Sequence, residues 1–128
     1  MMRLVNDRDT PLMDAMGVPI PVKGNQVIFG GALVCVDAAG FAVPGAATAG
    51  LTYAGRAESH VSSQGLADGD TAVVVRRKMA FKWANDGSIT AAHLMRQVFV
   101  LDDQTVSAAG TVKAGVVVRL ENDGVWVE

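Results

Sequence analysis

The feature that most constrains the fold of this chain is a series of short apolar runs, each ended by residues that favour turns. The best-patterned part is residues 71–106, where VVV at 73–75 and VFVL at 98–101 enclose a turn at Asn85, Asp86 and Gly87. Short runs rich in β-branched residues and bounded by Gly, Asn and Asp are typical of β-strands. Thr90 precedes AAHLM, for which we expect one or two helical turns.

The same pattern recurs on both sides of this stretch. GVVVRL at 115–120 and VWVE at 125–128 flank the turn formers of 121–124, which predicts a hairpin. Trp126 is expected to anchor it, in the core or at an interface. Upstream, VPIPV, QVIFGGALVCV and FAVP predict strands, and Gly30 with Gly31 predicts a bulge or a sharp bend. A further strand is expected between Leu51 and Glu58.

Length and composition limit the architecture further. A chain of 128 residues is the size of one ordinary domain. Half of the residues are hydrophobic but only 5% are aromatic, so the core must be built from small side chains, which favours sheets over large helices. We predict an all-β, mainly antiparallel fold, either a small β-barrel or a β-sandwich, with one short helix and an extended N-terminal arm. Both architectures give short strands with tight turns, so the choice stays open.

The beginning of the chain has a different texture. It contains Pro11, Pro19 and Pro21 and shows no sustained period of 2 or 3.6, which predicts an extended arm over residues 1–17 and a single β-rich domain over 18–128. A solvated tail would carry few apolar side chains, yet this one has many, so we expect the arm to dock on a neighbour. These side chains are Met2, Leu4, Val5, Leu12, Met13 and Met16.

Charge and cysteine content limit the partners and the compartment. The net charge of −2 provides no broad basic field, so neither nucleic acid nor an anionic membrane is an expected partner. The apolar runs are far shorter than the ~20 residues of a membrane span, and charged residues from Arg3 to Asp9 stand where a signal peptide needs apolar ones. The single cysteine, Cys35, suits a reducing compartment and is expected to be a small buried side chain.

No pattern in the sequence indicates a reaction centre. Glu58 and His60 would share a strand face with Arg56, but nothing nearby supplies a nucleophile or an oxyanion donor. Asp102 and Asp103 are adjacent, so a turn explains them better than a catalytic or metal-binding pair. We therefore expect no enzyme activity, no cofactor and no metal.

One basic stretch remains to be assigned. Residues 73–83 are predicted to continue as a strand, on which Arg76, Lys78, Ala80 and Lys82 share one basic face. Such a face could contact a phosphate backbone, but the chain has too few aromatic residues for base stacking, so a solvated edge that blocks unwanted strand pairing is favoured.

The order of these features resembles the small head-decoration, or capsid cement, proteins of tailed bacteriophages and prophages. The resemblance covers about the last half of the chain and rests on turn and strand signatures. In this sequence they are DGDTAVVVRR at 68–77, FxWxNxGxITxA at 81–92, VFVLDDQTV at 98–106, AGVVV at 114–118 and NDGVWVE at 122–128.

This resemblance implies a non-enzymatic structural protein of the virion, made in the cytoplasm of a host bacterium. It would bind the capsid exterior, bridge subunits of the major capsid protein and form a homo-oligomer, with a trimer favoured over a dimer. The alternative is a virion surface module that recognises a host glycan or other adhesion target through the loops at 44–49. The expected capsid or oligomer contacts are Met2, Leu4, Val5, Leu12, Met13, Met16, Arg76, Lys78 and Trp126.

Overall fold

The computed structural model describes residues 2–128, and nearly all of the regular structure in that range is β-strand. The first strand begins only at Gly17, and a single 3-10 turn, Ala91–His93, follows the eighth strand. The strands are β1 Gly17–Pro21, β2 Val27–Ile28, β3 Leu33–Val36, β4 Ala42–Pro44, β5 Thr52–Ala57, β6 Val61–Ser62, β7 Ala72–Arg76, β8 Phe81–Asn85, β9 Gln97–Val100, β10 Thr105–Ser107, β11 Lys113–Glu121 and β12 Gly124–Val127.

Five strands form an antiparallel sheet in the order β1, β7, β5, β3, β4. This sheet curls until its two edges almost meet. Val22, directly after β1, forms a parallel bridge with Ala42 of β4, and the N–H of Lys23 donates to the carbonyl of Ala42 at 3.1 Å. The concave side holds a core of small apolar side chains, among them Val34 and Val75, and the short β2–β6 ribbon contributes Ile28 and Val61 to it.

The edge of β1 that does not pair with β7 is poorly suited to adding a further strand. The carbonyl of Met16 accepts the N–H of Arg77, and the N–H of Val22 donates to the carbonyl of Thr71. The backbone N–H and C=O groups of the even-numbered residues in this segment therefore point towards β7. Pro19 and Pro21 therefore occupy the positions that face away. Because proline has no N–H, positions 19 and 21 offer no donor to an incoming strand, and of the outward-facing residues of β1 only Gly17 keeps one.

The remaining long strands close into a five-stranded barrel in the order β10, β8, β12, β11, β9. Only the β10–β8 pair is parallel, and pairing of β9 with β10 completes the ring. Its interior is filled by Phe81, Trp83 and a set of small aliphatic side chains, which alternate with exposed residues along β8 and with partly buried ones along β9. At Gly115, whose φ is +137°, β11 shifts register against β9, and a side chain there would collide with the carbonyl of Glu128.

The barrel packs against the convex side of the curled sheet. Leu33 and Cys35 of β3, with Val43 and Tyr53 from the neighbouring strands, belong to the core of the barrel. The sheet therefore has two apolar faces near β3, which explains the near-continuous apolar run LVCV.

These features confirm the predicted all-β, mainly antiparallel fold with one short helical turn, and they decide the open choice in favour of a barrel. Gly30 and Gly31 form the predicted sharp bend, a turn between β2 and β3 in which Gly31 has φ +85°. The predicted hairpin is also confirmed as β11–β12, with Glu121 paired to Gly124. The division into an arm at 1–17 and one domain at 18–128 stays a prediction.

Candidate functional site

The N-terminal arm, over the described residues 2–16, contains no strand or helix, and none of its side chains belongs to either core. Leu12 is the most exposed of its apolar residues, with 94% of its surface accessible, and Met16 is half-buried. The arm is attached where the carbonyl of Met16 accepts the N–H of Arg77 at 2.8 Å. A carboxylate oxygen of Asp14 accepts the N–H of Met16 at 2.9 Å and forms a turn just before that attachment. The other apolar side chains, all exposed, are Met2, Leu4, Val5 and Met13.

The predicted continuous strand through residues 73–83 is wrong. β7 ends at Arg76 and β8 begins at Phe81, and the four residues between them form a bend in which Lys78 has φ +60°. This bend carries the chain from the curled sheet to the barrel, so the alternation of side-chain faces does not continue across it. Arg76, Lys78 and Lys82 consequently do not form one basic face.

Arg76 instead belongs to a three-residue ion-pair network on the convex side of the sheet. The carboxylate of Glu58 contacts Arg56 at 2.6 Å and Arg76 at 3.2 Å. Two hydrogen bonds lower the pKa of the Glu58 carboxyl group, and the one from Arg56 has a larger effect than the one from Arg76. The guanidinium of Arg56 also lies 5.1 Å from the ring centre of Phe81 and so links the sheet to the barrel wall.

Glu58 and His60, which would share a strand face, have different neighbours in the structure. Glu58 is engaged by the two arginines, while the ring of His60 packs edge-on against Phe29 with 5.5 Å between centroids. A carboxylate already held by two guanidinium groups is stabilised as an anion, which weakens it as a proton acceptor.

Asp102 and His93 also have local hydrogen-bond partners. A carboxylate oxygen of Asp102 accepts the N–H of Gln104 at 2.9 Å, which is the predicted turn. The N–H of Thr90 donates to Nδ1 of His93 at 3.0 Å. Between residues 2 and 128, no group of three or more His, Cys, Asp or Glu side chains could hold a metal ion. No helix in that part of the chain is long and apolar enough to cross a membrane.

Trp126 lies on the outer wall of the barrel, opposite Lys82 on one side and Arg119 on the other. It is half-buried, and its indole N–H donates to the carboxylate of Glu121. Part of the ring is therefore accessible on the outer wall. On the same surface, Nζ of Lys82 lies 2.8 Å from each carboxylate oxygen of Asp123. This surface is mixed in charge.

A cleft of about 250 Å³ opens where the curled sheet, the 77–80 bend and the end of β12 meet. Sequence reasoning missed this cleft because its residues come from three distant segments. The only local signal was the basic run at 76–78, which the sequence analysis assigned to a continuous strand. The residues that line it are Tyr53, Ala54, Arg77, Lys78, Met79 and Glu128.

A second, shallower depression of about 420 Å³ lies beside the loop that follows β4. Polar side chains of Lys23, Gln26 and Asp37 line one part of it, and Lys23 approaches Asp37 to 3.7 Å. This is where the loops at 44–49, predicted as an alternative binding surface, lie against the sheet.

Comparison of the chain with protein-family models, with curated proteins and with solved structures found no match. The resemblance to phage head-decoration proteins therefore stays a prediction.

Proposed function

We propose that this protein is a structural component of a phage virion that decorates the capsid exterior and bridges subunits of the major capsid protein. It acts as a homo-oligomer, with a trimer favoured, and it is made in the cytoplasm of the host bacterium. The observation that carries the proposal is the exposed apolar arm attached to a tightly paired β body. In this role it needs no catalysis, cofactor, nucleic acid or membrane.

The arm supports a docking role because exposed apolar side chains cost free energy in water. Fully burying one Leu or Met side chain contributes about 1.5–3 kcal/mol, so a segment with several of them gains substantially when a partner covers it. Part of this gain is offset by the entropy of ordering the segment. Met2, Leu4 and Val5 are exposed and are the apolar residues of the arm most distant in sequence from its attachment at Met16, and we assign them to the capsid.

The β body supports the same role because it gives the arm a defined point of attachment. Two cores that share strands hold the arm attachment at Met16 in a defined position relative to the barrel surface around Trp126. In an oligomer each copy presents one arm, so modest single contacts combine into strong attachment through high effective concentration. The resemblance supports this assignment, since its matching residues include part or all of every strand from β7 to β12.

The test is binding to empty heads assembled from the major capsid protein of the phage or prophage that encodes this protein. Full-length protein should co-sediment with heads, and a variant lacking residues 2–14 should stay in the supernatant while keeping the β-rich circular dichroism of the parent. A variant with Leu66→Ser, which removes an exposed apolar residue far from the arm in sequence, serves as the control and should bind normally.

Two results would count against the proposal. Undiminished decoration by the truncated protein would show that the arm does not contribute to the capsid interface. No binding of the full-length protein to heads would reject the capsid role itself.

The glycan-binding alternative rests on the depression beside residues 44–49, where the polar side chains of Gln26 and Asp37 border apolar Val43 and Leu51. A few placed polar groups on an apolar surface are typical of small-ligand sites. This function would be favoured if the isolated protein bound immobilised glycans and Gln26→Ala weakened that binding. The same protein should then show no binding to empty heads.

A further inference from the structure

We propose that residues 9–14 of the arm bind in the cleft between sheet and barrel of a second copy of this chain, so that copies are joined by arm exchange. The inference rests on the homo-oligomer in the proposed function and names its contact. It does not depend on the capsid.

The cleft combines an apolar floor with a cationic rim. Tyr53 and Ala54 are half-buried in its floor, and Met79 leaves 42% of its surface exposed beside them. Arg77 and Lys78 border the same space, and neither forms an ion pair with any residue from 2 to 128. Among the side chains that line the cleft there are thus two cations, Arg77 and Lys78, and one carboxylate, that of Glu128.

Residues 9–14 of the arm have the complementary pattern. They read DTPLMD, with apolar Leu12 and Met13 between the carboxylates of Asp9 and Asp14 and no cation in the segment. Pro11 favours an extended backbone before the apolar pair, which suits insertion into a narrow cleft. Leu12 and Met13 would cover Tyr53 and Met79, while the two carboxylates would pair with the unpaired cations at the rim.

Pairing of strand edges is disfavoured as a way to join copies. The barrel is closed, and prolines face outward along the open edge of β1, so strand pairing between sheets is disfavoured. In a single chain Leu12 and Met13 stay exposed although Met16 is bonded to Arg77 beside the cleft. A copy that both donates an arm and accepts one can close a two-fold or a three-fold ring.

The first test is disulfide trapping between two variants that are purified separately, each with one cysteine added to the native Cys35. Leu12→Cys protein mixed with Met79→Cys protein should form a mixed disulfide under mild oxidation. The matched control is Leu66→Cys, whose native side chain has the same 42% exposure as Met79 but lies outside the cleft. Native Cys35 is fully buried and is present in every variant, so it contributes equally throughout.

Efficient cross-linking to position 79 and background cross-linking to position 66 would support the exchange. Equal cross-linking to both positions would overturn it. A double variant with Leu12→Cys and Met79→Cys that closes only within one chain would overturn it as well, because the arm would then fill its own cleft.

The second test is a charge swap, followed by light scattering on purified protein. Asp9→Lys with Asp14→Lys should weaken self-association by about tenfold or more, as expected for loss of close ion pairs at an interface. Arg77→Glu with Lys78→Asp should do the same, and Asp tolerates the left-handed backbone at position 78. The quadruple variant should recover association.

The two proposals fail in different ways. A protein that is monomeric throughout, or an oligomer whose association ignores the charge swap, refutes arm exchange and leaves the capsid role untouched. An arm-exchanged oligomer that does not bind heads refutes the capsid role and supports the exchange.

Discussion

Leu33 and Val34 are consecutive residues of β3, both are fully buried, and their side chains enter two different cores. Leu33 packs with the barrel interior and Val34 with the concave side of the curled sheet. β3 is thus a wall between the two cores. Because neither core can lose this strand without exposing the other, we expect the body to unfold as one cooperative unit.

Leu33→Ala tests this cooperativity. The change should lower the free energy of unfolding by about 2–5 kcal/mol, since it removes a fully buried Leu side chain and leaves a cavity. Urea unfolding should show one transition, coincident by tryptophan fluorescence, which reports on the barrel, and by far-ultraviolet circular dichroism, which reports on all strands. Exposed Leu66→Ala should change stability by no more than about 0.5 kcal/mol. Separate transitions for the two probes would mean that the cores unfold independently.

Gly55→Ala should be strongly destabilising. Gly55 has φ +151° and lies so close to the carbonyl oxygen of Arg76 that an added methyl group would collide with it. We expect a loss of about 2–4 kcal/mol from strain and displacement of β7. Gly31→Ala is the matched control, because Gly31 also has positive φ, +85°, but nothing lies within 4 Å of its would-be Cβ. That control should cost only about 1–2 kcal/mol, and similar losses at both positions would contradict the collision.

The Glu58 network makes stability depend on pH in the acid range. Its pKa is lowered below the ordinary value of 4.5 by hydrogen bonds from Arg56 and then Arg76, so the stabilisation is present above pH 4.5 and is lost as the pH falls through the folded-state pKa. Glu58→Gln should therefore be less stable than the parent at pH 7, and the difference should shrink towards zero as the pH is lowered. Thermal unfolding between pH 2 and 7 measures it. A difference that stays constant with pH would show that the ion pairs contribute nothing.

Cys35 should be unreactive in the folded protein. Burial raises the pKa of its thiol from 9.0 to about 11, a change that lowers the thiolate fraction at pH 8 by roughly 100-fold. Ellman's reagent should detect no thiol under native conditions and one thiol per chain in guanidinium chloride. Rapid labelling of the native protein would mean that the strand β3 opens frequently.

Local features of the fold were predictable because their causes are local. The Asn85 turn forms through its own side chain, which accepts the N–H of Gly87 at 2.8 Å, and the hairpin at 121–124 follows from Asn122 and Asp123 between two apolar runs. The buried character of Cys35 follows from its apolar neighbours. Trp126 could not be assigned from sequence, because whether its indole faces the core or Glu121 depends on the direction of β12 within the barrel.

The sequence by itself determined the all-β class, the positions of most strands and turns, and an arm without periodic structure, since turn propensity and side-chain alternation act over a few residues. Only the tertiary structure decided that the strand is interrupted by a bend at 77–80, that β10 pairs in parallel with β8, and that β3 contributes side chains to both cores. These depend on which strands meet across long sequence separations, a choice set by packing of both faces and closure of the ring. The cleft that joins Tyr53, Lys78 and Glu128 exists only after that choice is made.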